Sequence, residues 1–433
     1  MTQPLSGEAG KATGSWRSAI RGNVLAMGLV SLFNDFSSEM IYPLLAAYLN
    51  ALTHGAAKFW IALMDGLGEA TASLLKVFSG RLSDRLGKRK SITVLGYGLA
   101  TVCRPLMALA TAGWAVVGLR VLDRVGKGVR TSPRDALIGD SVDKDNRGLA
   151  FSFHRAMDHA GAVLGPVTAV AVLYFLLGHT FWHSKKEVSG GEITALQWLF
   201  ALSLIPGLFA MAFLMLKVRE IAPARARAEA DGRAGRLAGW KNLPGRFYAF
   251  VGIVTLFALG NSTDLFILNL GREKFDLDLI PFLALWVVLH LSKILFSFPG
   301  GMLSDRVGRR PVIIAGWIVY ALVYLGLAVV QAEWQFWTLF VIYGAYYGLT
   351  EGAEKALVTD FVASELRGTA FGVYHAAVGI AVLPANLIFA ALWSAYGSAA
   401  AFGFGAALAG LAAVVLVAFV SLAPPRRSPQ PAA

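Results

Sequence analysis

A single cysteine, Cys103, stands in 433 residues, so neither an intramolecular disulfide nor a cysteine metal site can be built. Charge is scarce too. Only 15% of the residues are Asp, Glu, Lys or Arg, 56% are hydrophobic and the mean hydropathy is +0.59, which excludes a water-soluble globule of this length. No Gly-x-x-x-x-Gly-Lys-Ser/Thr stretch occurs, which argues against ATP as the energy source, and no His-Glu-x-x-His pair is present for a metallohydrolase. Acidic residues are outnumbered, 27 against 39 basic, for a net charge of +12. The bases fall in alternate connections between apolar blocks, the pattern of the positive-inside rule rather than of a nucleic-acid surface.

Apolar blocks of about 20 residues fill the chain, each long enough for a membrane helix, and they imply an all-α integral membrane protein of about twelve spans, six in each half. The halves are related by duplication. Gly80-Arg81-Leu82-Ser83-Asp84-Arg85-Leu86-Gly87 returns 221 positions later as Gly301-Met302-Leu303-Ser304-Asp305-Arg306-Val307-Gly308, and Asp140 with Arg147-Gly148 returns as Asp360 with Arg367-Gly368. The chain divides into a polar tail (1–21), a six-helix bundle (22–217), a basic linker (218–246), a second six-helix bundle (247–422) and a Pro-rich tail (423–433). Tails and linker are expected on the cytoplasmic side of an inner (plasma) membrane, because Arg is concentrated in the linker.

Several spans carry charge. Each charge at the bilayer centre costs about 2.5–3.5 kcal/mol on insertion scales, so these side chains must line a cavity or find partners. Asp35 and Glu39 are four apart in the first helix and share a face, and the second helix adds Asp65, Glu69 and Lys76. In the fourth helix, from about Trp114 to Gly139, Arg120, Asp123, Arg124, Lys127, Arg130 and Arg134 fall within an arc of about 120°. Gly128 and Pro133 leave a second reading open, in which Lys127 to Arg134 is an amphipathic loop. The fifth helix aligns His154, Asp158, Gly161 and Gly165, with small residues that let another helix come close. The seventh has Asn261, Ser262, Thr263 and Asp264 where the first has its acidic pair, and the tenth has Glu351, Glu354 and Lys355. Arg134 and Asp135 align with Glu354 and Lys355 with both signs reversed, which predicts pairing between the halves. The third, sixth, ninth and twelfth helices read as mostly apolar.

The loop pattern Gly-x-x-x-Asp-Arg-x-Gly-x-Arg-Arg/Lys is met by Gly80, Asp84, Arg85, Gly87, Arg89 and Lys90, and a close copy stands at Gly301, Asp305, Arg306, Gly308, Arg309 and Arg310. It resembles the signature of the major facilitator superfamily. Arg120, Gly126 and Asp140 are similar to that family's fourth-helix pattern, with Asp123-Arg124 where the family usually has Gln-Gly. Gly161, Gly165 and Pro166 resemble its exporter-associated Gly-x-x-x-Gly-Pro, without the Gly-Gly that normally follows, and are expected to serve helix packing. The resemblance implies two six-helix bundles around a central cavity that opens alternately to either side, with helices 1, 4, 7 and 10 lining it. Gating is expected of Gly80, Asp84, Arg85, Gly87, Arg89, Asp140, Gly301, Asp305, Arg306, Gly308 and Arg309.

The expected function is secondary active transport of a small anionic or zwitterionic organic solute coupled to protons, with export by antiport favoured. Asp35, Glu39, Asp65, Glu69, Asp264, Glu351 and Glu354 are the expected proton-coupling or cavity carboxylates. Arg120, Arg124, Lys127, His154, Asp158 and Lys355 are the expected substrate-binding groups. Substrate, protons and lipid are the expected partners of a monomeric chain, with no nucleic acid, metal, cofactor or enzymatic activity. The competing readings are a multidrug or cation efflux pump, a proton-coupled uptake symporter, an ion channel, and an enzyme built on His154, Asp158, His159 and His375.

Overall fold

The computed structural model describes residues 20–53, 57–178, 189–221, 240–275 and 279–421. The expectations placed on residues 1–19, on the linker at 222–239 and on the tail from 422 lie outside these residues. Among the described residues there is no strand, and twelve rods can be traced. They are α1 (Asn23–Glu39, continued past the turn Tyr42–Leu44 by Leu45–Thr53), α2 (Ala57–Leu86), α3 (Arg89–Leu106), α4 (Gly113–Asp140), α5 (Arg147–Leu177) and α6 (Gly190–Leu202 with Leu204–Lys217). The second six are α7 (Gly245–Gly260 with Asp264–Phe275), α8 (Leu279–Val307), α9 (Arg309–Val329), α10 (Glu333–Phe361), α11 (Arg367–Tyr396) and α12 (Ser398–Ser421).

Eight described stretches are long and apolar enough to cross a membrane, and they include Lys144–Leu177, Gly190–Lys217 and Arg309–Val329. α2, α4 and α10 fall outside that group, yet they hold 30, 28 and 29 residues. At 1.5 Å per residue each exceeds about 40 Å, more than the roughly 30 Å of a hydrocarbon core. Three rods are interrupted, α6 only by the single residue Ser203. The first stops at Glu39 because Pro43 sits in the turn that follows. The seventh opens at Asn261, whose backbone is extended, and the freed amide of Thr263 is satisfied by Asn386 Oδ1 at 2.9 Å. The amphipathic-loop reading of Lys127 to Arg134 is overturned: α4 stays helical to Asp140 with Pro133 inside it.

The two sets of six pack alike. α4 lies along α2 and α3 as α10 lies along α8 and α9, and α1 lies along α5 as α7 lies along α11. Across the sets, α5 meets α8 and α10, while α11 meets α2 and α4. A two-residue turn joins α2 to α3 and a one-residue turn joins α8 to α9. Gly87 (φ 63°) and Gly308 (φ 99°) occupy the left-handed region that such a reversal needs, which gives the repeated loop glycine its reason.

The α2–α11 seam is closed at one end only. Gly368, Gly372 and Gly379 of α11 press on Gly80, on Lys76 and Val77, and on Ser73 of α2, with no room for a side chain. Glu69 continues that inward stripe of α2 and has a half-exposed side chain, and Leu383 is 66% exposed one turn beyond Gly379. The halves therefore touch at the face that bears the repeated loops and part toward the opposite face.

Candidate functional site

At the loop-bearing face each repeated Asp caps a helix of the other half. Asp84 accepts from the amides of Gly368 (3.1 Å) and Thr369 (2.6 Å) and from the Thr369 hydroxyl (2.9 Å), in the first turn of α11. Asp305 accepts from the amides of Gly148 (3.0 Å) and Leu149 (2.8 Å), in the first turn of α5. Free amides and the helix dipole favour a carboxylate there by about 0.3–1 kcal/mol from the dipole alone. The second Arg of each loop completes the clamp. Arg89 pairs with Asp84 at 3.2 Å, donates to the Ser364 carbonyl at 2.7 Å and contacts Asp140, which Arg367 also contacts. Arg309 pairs with Asp305 at 2.9 Å and Asp360 at 3.3 Å and donates to the Lys144 carbonyl, while Arg147 reaches Asp360 at 3.5 Å. Arg85 and Arg306, expected beside these residues, are exposed, and their acidic neighbours pair with Arg89 and Arg309 instead.

A second layer lies about 8 Å deeper, five or six residues up the helices at 1.5 Å each. Asp135 of α4 holds Lys355 of α10 and His375 of α11, both at 2.8 Å. Half of the sign-reversed pairing is thus present. Arg134 does not reach Glu354: it pairs with Asp135 at 2.9 Å, and Glu354 accepts from Trp317 (3.1 Å) and Tyr374 (2.7 Å). A third layer brings Arg155 and His159 of α5 to Glu351 of α10 at 3.1 and 3.2 Å, and His159 to His290 of α8.

Beyond these layers, where the halves part, Glu69 bridges Arg124 (3.2 Å) and Lys127 (3.4 Å) of α4; the three side chains are 50%, 15% and 38% exposed. Arg120 is directed elsewhere, to Asp123 at 3.1 Å and over the Tyr42 ring at 4.5 Å. Asp123 also takes Arg104 of α3 at 3.1 Å, and Arg104 donates to the Asn34 carbonyl at 2.8 Å. Asp35 and Glu39 form no ion pair among the described residues. Asp35 accepts from Asn34 at 2.8 Å, and Glu39 Oε2 is buried without a hydrogen bond. His154 is buried 3.7 Å from Asp158, which pairs with Arg155 at 2.8 Å. The side chain of Asp65 is outside the described residues. In the second half Asp264 accepts from Tyr343 and Tyr347, both at 2.8 Å, and pairs with Lys293 at 3.3 Å. Gly161 and Gly165 seat α5 on the α1 backbone at Leu32 and Met40, and Pro166 lies inside the helix beside them.

Two bases escaped the sequence reading. Arg104 sits in a span classed as apolar, where a single base before Pro105 was itself a signal. Arg155 lies off the His154–Asp158 face and gains meaning only from α10, which periodicity cannot show. Among the described residues no group of three His, Cys, Asp or Glu is arranged to hold a metal ion.

A family model described as Major Facilitator Superfamily matches residues 27–292 and 283–433. The chain is 34% identical over 377 residues to an uncharacterized MFS-type transporter of Methanocaldococcus jannaschii, covering 86% of this chain and 88% of that one. It is 24% identical to the multidrug resistance protein MdtG of Dickeya zeae, covering 91% and 92% of the two chains. Its fold is similar to the crystal structure of the human organic anion transporter MFSD10, with a TM-score of 0.73, 15% identity and coverage of 93% and 100%. With the repeated loop, the paired six-helix sets and these matches together, the chain belongs to the major facilitator superfamily of multi-pass membrane transporters.

Proposed function

We propose that this transporter carries a small organic anion, or a zwitterion held by its anionic end, together with protons, by alternating access. The carrying observation is the partly exposed trio Glu69, Arg124 and Lys127, in which two cations share one internal carboxylate on the cleft side of the closed layers. An incoming anion can take the place of Glu69, and charge-assisted bonds to two bases are each worth about 1.5–3 kcal/mol. The sign of the coupling follows from the same pairing. Protonating a carboxylate that neutralises a base frees that base for an anion, so proton and anion bind together, which favours co-transport in this reading beside the export by antiport expected from the sequence. Asp35, Glu39 and Glu354, without a basic ion-pair partner among the described residues, are the further carboxylates assigned to coupling.

In this reading the six-helix sets at 22–217 and 247–422 are the moving bodies, and the clamps of Asp84, Arg89, Asp140, Asp305 and Arg309 are the gate. The positive-inside rule puts the clamped face and both termini in the cytoplasm, in an inner (plasma) membrane. The conformation seen is then closed inward and parted outward. A second reading, export of drugs or organic cations, is favoured by the likeness to MdtG.

The deciding experiment is uptake in liposomes holding purified protein, with an imposed pH gradient and labelled benzoate, succinate and tetraphenylphosphonium as probes. Uphill accumulation of an anion on the alkaline side supports the proposal. Gradient-driven movement of the cation alone would overturn it in favour of cation export.

A further inference from the structure

His159 of α5 and His290 of α8 face each other across the two halves, with Nδ1 3.2 Å from Nδ1. On its other side His159 Nε2 lies 3.2 Å from one oxygen of Glu351 on α10, whose second oxygen accepts from Arg155 at 3.1 Å. These partners fix the tautomers. A carboxylate only accepts, so His159 carries its proton on Nε2 and donates it to Glu351. Its Nδ1 is then an acceptor, and His290 must donate to it from Nδ1. His290 Nε2 is left as a bare lone pair, buried and without a hydrogen-bond partner among the described residues. Neither the clamps nor the cleft trio uses this nitrogen, and an unmet buried acceptor is costly enough to need a reason.

We propose that His290, His159 and Glu351 form a proton relay across the interface between the halves, whose product, a neutral Glu351, releases Arg155 for substrate anion. The inference rests on the proton-coupled reading above and adds a coupling site on α5, α8 and α10 to the carboxylates of α1 and α2. A proton taken up at His290 Nε2 gives an imidazolium. Its Nδ1 proton passes to His159 Nδ1, and the Nε2 proton of His159 passes to the Glu351 carboxylate. One proton enters and one carboxylate is neutralised. Both rings end neutral, with every hydrogen bond of the chain reversed and none lost.

The surrounding charges set the direction. Lys293, one turn along α8 from His290, opposes a lasting imidazolium there, although it is itself paired with Asp264 of α7 at 3.3 Å. Arg155 and Asp158 face the relay from α5, and Asp35 of α1 lies behind α5 against Gly161. Once Glu351 is neutral, Arg155 keeps only Asp158 at 2.8 Å, and its side chain is already 29% exposed. When the halves part, His159 no longer faces His290, and each ring exchanges its proton with water separately, which resets the relay.

The tautomers can be read without any transport. Protein labelled with 15N-histidine, held in detergent and titrated from about pH 5 to pH 9, separates protonated from bare imidazole nitrogens. The expected result is neutral His290 protonated on Nδ1, with His159 and His290 resonances moving together. In Glu351→Gln the amide can donate as well as accept, so the single tautomer should give way to a mixture. A neutral His290 protonated on Nε2, or resonances indifferent to Glu351→Gln, overturns the relay. In the liposome assay, His290→Gln should lower gradient-driven anion uptake at least about tenfold while the purified variant keeps the thermal stability of wild type. Loss of uptake together with loss of thermal stability would make His290 merely structural. Wild-type protein that ignores the gradient while showing the stated tautomers would fail the coupled-transport reading instead, so the two failures are separable.

Discussion

Asp84 and Asp305 sit 221 positions apart and hold the first turns of α11 and α5, each with an Arg five or four residues on that reaches the acidic end of α4 or α10. Midway up the same helices that likeness is gone. The first half sets a row of bases on α4 against Glu69, Asp123 and Asp135. The second half surrounds Asp264 and Lys293 with tyrosines, and Phe257, Trp317, Tyr320 and Tyr324 stack behind them with centroids 4.7 and 4.1 Å apart within pairs. The duplicated parts are those that must close on each other symmetrically. In the proposed reading the diverged parts serve a small solute, which has no twofold symmetry to match.

The sharpest way to break this comparison is to remove both clamps. Asp84→Asn with Asp305→Asn should open the loop-bearing face, since two cross-half charge-assisted sites at about 1.5–3 kcal/mol each exceed what is needed to invert a balanced equilibrium. Spin labels at the exposed Arg85 and Arg306 would report the separation. Single variants sharpen it further. Asp84→Asn should shift the population more than Asp305→Asn, because Asp84 accepts three bonds from α11 and Asp305 two from α5. The expected gap is about 1 kcal/mol, or roughly fivefold in population. A larger effect at Asp305 would contradict the geometry.

Gly80→Ala should destabilise the closed face by about 1–3 kcal/mol, because the new Cβ would meet the Gly368 carbonyl, which is backbone and cannot swing aside. The same label pair reads it. The smallest effect is expected at Tyr347→Phe, about 1 kcal/mol of thermal stability, since Asp264 keeps Tyr343 and Lys293. A large loss of transport there would mean that the tyrosine cage, not the row of bases, holds the solute.

Much of this was legible in the sequence. The duplication, the two loop motifs and the apolar blocks gave twelve rods and their order, because helix length and repeat spacing are local properties. Partners were harder. Helical periodicity put Arg120 and Arg124 on one face of α4, but only packing sends Arg120 to Asp123 and Arg124 to Glu69. Sign reversal at the repeat offset found Asp135 with Lys355 and missed Arg134, which its own neighbour holds. The break at Tyr42–Leu44 was passed over because the hydropathy of α1 runs on through it, and the break at Asn261 because the polar run Asn261 to Asp264 was matched to the acidic pair of α1. The repeat singled out Asp84 and Asp305, but which helix each caps is a fact of the other half.

The measurement that bears most directly on a duplicated gate around a diverged site is thermal stabilisation of the purified protein by benzoate, succinate and tetraphenylphosphonium. It would compare wild type with Arg124→Gln/Lys127→Gln and with Asp84→Asn/Asp305→Asn. An anion should stabilise wild type, lose about a hundredfold in affinity in the Arg124–Lys127 variant, and keep its affinity within about threefold in the clamp variant. Undiminished anion binding without Arg124 and Lys127, or stabilisation by the cation alone, would contradict the account.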